Sequence, residues 1–182
     1  MKAMLFFSVL VVLGVGGLIV ALSSNTMLAK TDPLEPGVSA PLFALPDQNN
    51  TVHKLEDSKG KIVVLAFYPA DMTSGCSLEA HNFTKALDEF KKRGVILYGI
   101  SVQDVDSKKK FCEKDGITYP LLADVKKDTS RDYGVLTAIG VARRVTFVID
   151  KKGTIAAVDP SVKPATVVAD TLKMVDEVIA KS

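Results

Sequence analysis

The stretch Ile62-Val-Val-Leu-Ala-Phe-Tyr68, Pro69-Ala-Asp-Met-Thr-Ser-Gly-Cys76, Ser77-Leu-Glu-Ala-His-Asn-Phe83 decides how this chain folds. Its first seven residues form an unbroken apolar run, which predicts a strand buried on both faces. Pro69 and Gly75 then break the run, and helical spacing follows to residue 92, with Leu78, Phe83, Leu87 and Phe90 toward the core. Strand, turn and helix succeed one another, and Cys76 falls in the first turn of the helix. Backbone N–H groups there have no intrahelical acceptor, and the helix dipole is positive. Both favour the thiolate, the reactive form of cysteine.

Outward from this stretch the pattern is regular. Residues 42–45 and 51–55 predict a short hairpin around Asp47-Gln-Asn-Asn50. Gly94 ends the first helix, and 95–101 is a second central strand. Asp104 or Asp106 caps a helix over 104–114, closed by Gly116. Residues 119–124 are a short extended piece, and 129–133 one or two helical turns. Residues 144–149 predict a third strand, Asp150-Lys-Lys-Gly153 a turn into 154–158, and 165–181 an amphipathic helix. Helices alternating with apolar strands imply an α/β sheet covered on both faces, with a right-handed β-α-β crossover and an antiparallel closing hairpin. That plan, a central mixed sheet flanked by helices, is thioredoxin-like.

Composition narrows the function. The chain has 182 residues and a formal net charge of +2. Its longest basic run, Lys108-Lys109-Lys110, reads as a solvated helix start, and no basic patch is interleaved with aromatics, so nucleic-acid binding is not expected. Two cysteines, Cys76 and Cys112, form no C-x-x-C pair. Two histidines, His53 and His81, give no zinc-site spacing, so no metal site is expected.

Residues 3–22 carry no charge and suffice to span a bilayer as a helix; a signal-peptide core is usually shorter. Lys2 favours a cytoplasmic N-terminus. Residues 1–22 therefore read as an uncleaved anchor or a cleaved signal. Either places the domain on the non-cytoplasmic side, membrane-anchored or secreted, in a periplasm or lumen. Residues 23–36, polar and containing Pro33 and Pro36, read as a linker, which leaves 37–182 as the folded domain.

The segment Phe67-Tyr-Pro-Ala-Asp-Met-Thr-Ser-Gly-Cys-Ser-Leu-Glu-Ala80 resembles the Pro-x-x-x-Thr/Ser-x-x-Cys motif of the peroxiredoxins, most closely their bacterioferritin-comigratory, or peroxiredoxin Q, branch. Arg144-Val-Thr-Phe-Val-Ile-Asp150-Lys-Lys-Gly153 and Tyr119-Pro-Leu-Leu-Ala-Asp124 fit the same pattern in order and distance. The resemblance runs from about Pro36 to the C-terminus. It implies a thiol peroxidase in which the Cys76 thiolate attacks a hydroperoxide and becomes a sulfenic acid. Arg144 would lie beside it and stabilise the leaving oxygen. Thr73 would donate to the thiolate or accept from the peroxide, Pro69 would shield the site, and Glu79 would orient the arginine. Neither metal nor organic cofactor is implied. Alternation along a strand sends Arg143 and Arg144 to opposite faces, and the motif selects Arg144.

Many members of that branch carry a resolving cysteine five residues after the first. Here His81 stands at that position, read as a surface or packing residue. Another subset places the resolving thiol in the next helix, as Cys112 would be. Either Cys112 closes a disulfide with Cys76, or it is a buried apolar residue and an external thiol resolves. The resemblance further implies a thioredoxin-like reductant and a monomer. Two rivals share the fold. A thiol-disulfide oxidoreductase wants C-x-x-C, but position 79 is Glu; a metal-delivery module wants paired cysteines that are absent.

Overall fold

The computed structural model describes residues 32–181. In chain order the elements are a hairpin of β1 (Ala44–Pro46) and β2 (Val52–Lys54), then β3 (Ile62–Phe67), α1 (Ser74–Lys92), β4 (Val95–Ser101), α2 (Val105–Asp115), β5 (Leu121–Ala123), α3 (Asp128–Asp132), β6 (Val145–Ile149), β7 (Ile155–Asp159) and α4 (Val167–Ala180). The expected elements are all present. The apolar run at 62–67 is the middle strand of a five-stranded sheet ordered β5-β4-β3-β6-β7. It pairs parallel with β4 and antiparallel with β6, with Phe67 opposite Val145, and all six of its residues are buried. The fold is the mixed, thioredoxin-like sheet expected from the pattern.

Alternation along β3 sorts the core into two layers. Ile62, Val64 and Ala66 face α1, α2 and α4 through Phe83, Phe90, Phe111, Val167 and Val175. Val63, Leu65 and Phe67 face the opposite layer, where Phe67, Tyr133 and Phe147 form a ring cluster with centroids 5.2–5.7 Å apart. That second face is covered mainly by irregular segments. The hairpin region, the segment around Leu34 and Ala40, and Tyr133–Val135 cover it, while α1, α2 and α4 share the first face. Tyr133 donates from its hydroxyl to Pro41 O at 2.9 Å, which binds the N-terminal strap to this layer.

Three readings are corrected here. Leu78 is not in the core: it is 46% exposed, and its neighbour Glu79 is buried instead, because the inward face of α1 at this point looks at an arginine. Lys108 is not on a solvated face: it is 0% exposed, held among buried acceptors. Residues 32–36, read as the end of a linker, already lie on the domain, with Leu34 buried and its N–H bonded to Tyr133 O at 3.1 Å. The expected anchor or signal at 1–22 lies outside the described residues. Among the described residues no helix is long and apolar enough to cross a membrane.

The hairpin is anchored to the sheet edge. Asp47 accepts from Asn49 N at 2.8 Å and Thr51 N at 3.0 Å, which folds the turn, and its other oxygen meets His53 Nε2 at 2.9 Å. Gln48 grips the entry to β5, donating to Tyr119 O at 3.4 Å and accepting from Leu121 N at 2.9 Å. Tyr119 then packs over Gly99 of β4. A Cβ at Gly99 would stand 2.6 Å from Leu121 Cδ2, 3.3 Å from the Tyr119 ring and 3.4 Å from the Tyr68 ring. The glycine is there because two aromatic rings and a leucine need its space. Gly99→Val should cost about 1–3 kcal/mol by overpacking, lowering Tm by about 2–4 °C per kcal/mol for a chain of this size. An unchanged Tm by calorimetry would show that these side chains repack freely.

Candidate active site

Cys76 is the third residue of α1 and is 2% exposed, with its sulfur at the end of the sheet. Thr73 precedes the helix with extended backbone and offers no side-chain cap, so the first-turn N–H groups of Ser74, Gly75 and Cys76 have no cap from it. Arg144 immediately precedes β6, on the same face as Thr146 and Val148, and the antiparallel β3–β6 register brings it over the helix start. Its Nη2 donates to Cys76 Sγ at 3.2 Å, and its Nη1 donates to Glu79 Oε2. The residues that the motif nominated, 68 positions apart, are thus in contact. Arg143 turns the other way and lies 3.8 Å from Asp32, as alternation requires.

The guanidinium bridges a thiol and a carboxylate through separate nitrogens. Glu79 holds one side of the fork, so the other cannot rotate away from sulfur. The pair is nearly dry, with side chains 18% and 4% exposed. Glu79 Oε1 has no hydrogen-bond partner among the described residues. Gly75 lies against the guanidinium: a Cβ there would stand 3.4 Å from Arg144 Nη2, at van der Waals distance. A small, largely apolar cavity beside Cys76 is lined by Ala66, Tyr68, Glu79, Ala80, Phe111 and Tyr119.

Thr73 and Pro69 are placed in the turn that leads to Cys76, and neither makes a hydrogen bond to its sulfur. The Thr73 hydroxyl donates to Ala70 O at 3.3 Å, and Pro69 O accepts from Gln103 Nε2 at 3.4 Å. Cys112 lies on α2 and packs against the same cluster as Cys76, Phe111 and Tyr119. Both cysteines are free thiols. Burial pushes the Cys112 thiol up to about 11, with Asp71 adding to the effect and Lys108 opposing it. Where it sits, Cys112 is a protonated thiol at neutral pH. His81 is half-buried at the edge of α1, 3.6 Å from Asp115. No group of side chains among the described residues has the makings of a metal site.

Residues 36–158 match the family model described as the AhpC/TSA family. The chain belongs to the AhpC/TSA family, the peroxiredoxins. A peroxiredoxin bcp of Coxiella burnetii is 37% identical over 137 residues, which cover 71% of this chain and 91% of that protein. The crystal structure of peroxidoxin BcpB from Mycobacterium tuberculosis superposes with a TM-score of 0.75 at 30% identity, covering 80% of this chain and 98% of that one. The bacterioferritin comigratory protein of Xanthomonas campestris, described for its alkyl peroxide reduction activity, superposes with a TM-score of 0.74 at 25% identity, covering 79% and 98%. This peroxiredoxin therefore sits with the branch that its motif resembles. The sequence reading missed Tyr68, Asp71, Ser101, Ser107 and Lys108, which form a buried polar cluster beside the site. A signal existed: Lys108, Phe111 and Cys112 share one face of α2 by their i, i+3, i+4 spacing.

Arg144→Met should lower the rate constant for peroxide oxidation of Cys76 by about 10²–10³. It should also destabilise the fold by about 3–5 kcal/mol, since Glu79 is left buried and unpaired. Adding Glu79→Gln should restore stability but not rate. Stopped-flow oxidation beside thermal melts checks both, and a wild-type rate in either variant would remove Arg144 from the chemistry.

Proposed function

We propose that this thiol-dependent peroxidase reduces hydrogen peroxide and organic hydroperoxides through Cys76. The observation that carries the assignment is Arg144 Nη2 at 3.2 Å from Cys76 Sγ, fixed there by Glu79, at the start of a helix. The thiolate attacks the terminal oxygen of ROOH. An S–O bond forms, the O–O bond breaks, and RO⁻ leaves, to be protonated to ROH. Arg144 and the free N–H groups of the first helical turn stabilise the charge on that oxygen. Thr73, two residues beyond Asp71 on the rim, meets the incoming hydroperoxide, and Pro69 limits water at the sulfur. A buried thiol beside a small, largely apolar cavity suits a small electrophile, in keeping with the alkyl peroxide activity of the Xanthomonas campestris relative.

Cys112 resolves the sulfenic acid. Its thiolate attacks Cys76 sulfur, an S–S bond forms, and hydroxide departs. The two cysteines start on different helices, and a disulfide needs their Cα atoms within about 7 Å; local unwinding of the first turn of α1 delivers Cys76, and the same opening exposes Cys112 to water and relieves the burial that keeps it protonated. A thioredoxin-like dithiol then exchanges with the disulfide and returns both thiols. The enzyme acts as a monomer, anchored or exported by residues 1–22, with its domain outside the cytoplasm. The uncharged length of 3–22 supports this placement, and alkaline carbonate extraction of expressing cells tests it.

One equivalent of hydrogen peroxide should remove two hydrogens from the reduced protein by intact mass. Cys112→Ser should give a trappable sulfenic acid instead, and Cys76→Ser neither product. A trappable sulfenic acid in the unaltered protein would assign resolution to an external thiol. No oxidation at Cys76 would refute the peroxidase reading of this cysteine.

A further inference from the structure

Lys108 plays no part in the chemistry above, yet it lies wholly inside the protein. Its ammonium donates to the Tyr68 hydroxyl at 2.9 Å, to Asp71 Oδ1 at 2.9 Å and to the Ser101 hydroxyl, and it stands 4.8 Å from the centre of the Tyr68 ring. Asp71, itself buried, also accepts from the Tyr68 hydroxyl at 2.7 Å and the Ser107 hydroxyl at 2.6 Å. Ser101 passes the network on to Gln103 at 2.6 Å, and Gln103 reaches back to Pro69 O at 3.4 Å. The turn between β3 and α1 is therefore tied to the end of β4 and to the start of α2. The next residue, Met72, has φ of 58°, a conformation that side chains other than glycine's disfavour, and it is exposed rather than in the core. The turn is held against its own preference by the buried carboxylate. An apolar pair in place of Lys108 and Asp71 would commonly be as stable or more so, which points to a role other than stability.

We propose that Lys108 is a positioning residue for the peroxide reaction: through Asp71 it clamps the Tyr68–Met72 turn, so that Thr73 and the first turn of α1 present Cys76 to Arg144 and to the substrate. The inference rests on Cys76 being the attacking thiol. The charged and titratable groups facing Lys108 are Asp71 from the turn, Tyr68 beyond β3, Cys76 from α1 and Cys112 from its own helix. Burial pushes Lys108 down to about 8 despite the opposing pull of Asp71. Burial also holds Tyr68 well above its ordinary range, and Cys112 at about 11, so neither titrates with Lys108. Between about 8 and the ordinary lysine value of 10.5 the unfolded chain binds the extra proton, so the Lys108 contribution to stability rises with pH. The clamp loses its ammonium over the same interval. Rate and stability then move in opposite directions, which a merely structural lysine would not produce. Ionisation of a thiol raises its rate with pH, so a falling limb is not the signature of Cys76.

The test uses the full chain carrying Cys112→Ser, which isolates the first step. Its oxidation by hydrogen peroxide is followed by stopped flow from pH 6 to 10, alone and with Lys108→Met, Asp71→Asn or both. The expected result is a falling limb near pH 8 in the parent, absent from Lys108→Met. At pH 7 each single change should slow oxidation about tenfold by misplacing the thiol, and the double change should be no slower than either. Should Lys108→Met not fold by circular dichroism, the double variant, which leaves no buried charge unpaired, carries the same comparison. A parent rate in Lys108→Met, or a falling limb that persists in it, overturns the clamp. A parent inert to peroxide overturns the assignment of Cys76 as well, so the two failures are told apart by the parent alone.

Discussion

The forked contact of Arg144 with Glu79 and Cys76 is the constraint around which the domain is arranged. It demands that β6 run antiparallel to β3 in one register, because a slip of one residue would point Arg144 into the opposite layer and turn Val145, Phe147 and Ile149 out of theirs. It demands a buried glutamate at a helical position where a leucine stands one residue away, exposed. A buried ion pair is a poor stabiliser, since desolvation offsets most of the attraction. The fold accepts that cost in order to hold a fixed positive charge against sulfur.

The two faces of the sheet divide the labour. Three helices cover one face, and the site, both cysteines and the buried lysine all lie on that side. The other face is sealed by rings of Phe67, Tyr133 and Phe147, by the hairpin region and by the N-terminal strap. The sealed face supplies a rigid support, with β3 fully buried between its neighbours. On the helical face α1 begins with an uncapped turn, and Ser77 and His81 meet Asp115 of α2 at 3.0 and 3.6 Å. The resolution by Cys112 proposed above needs such a seam, because the two thiols start in separate helices.

The order of elements, the alternation that separates Arg143 from Arg144, and the placement of Cys76 were legible because each depends on local spacing. The Asp104 cap, accepting from Ser107 N at 2.8 Å, and the left-handed Gly116 that closes α2 were legible for the same reason. Lys108 was not. A lysine within a basic triplet is ordinarily solvated, and only the three-dimensional approach of Asp71 from a turn 37 residues earlier makes burial tolerable. The inversion of Leu78 and Glu79 escaped a reading by periodicity, since periodicity assigns the inward place to the apolar side chain. The covering of the second face escaped because irregular segments leave no period. The Thr73 hydroxyl bonds to its own turn, a competition that spacing does not disclose.

The distance in sequence between Cys76 and Arg144 has a consequence for how the chain comes into being. β3 and α1 are made early, and the β-α-β unit with β4 can form from contiguous sequence. The arginine enters the structure only when β6 inserts beside β3, the one central pairing that joins the late part of the chain to the early part. Until that strand docks, the sulfur has a helix terminus but no guanidinium beside it. Reactivity is therefore a property of the finished sheet and not of the β3–α1 segment alone.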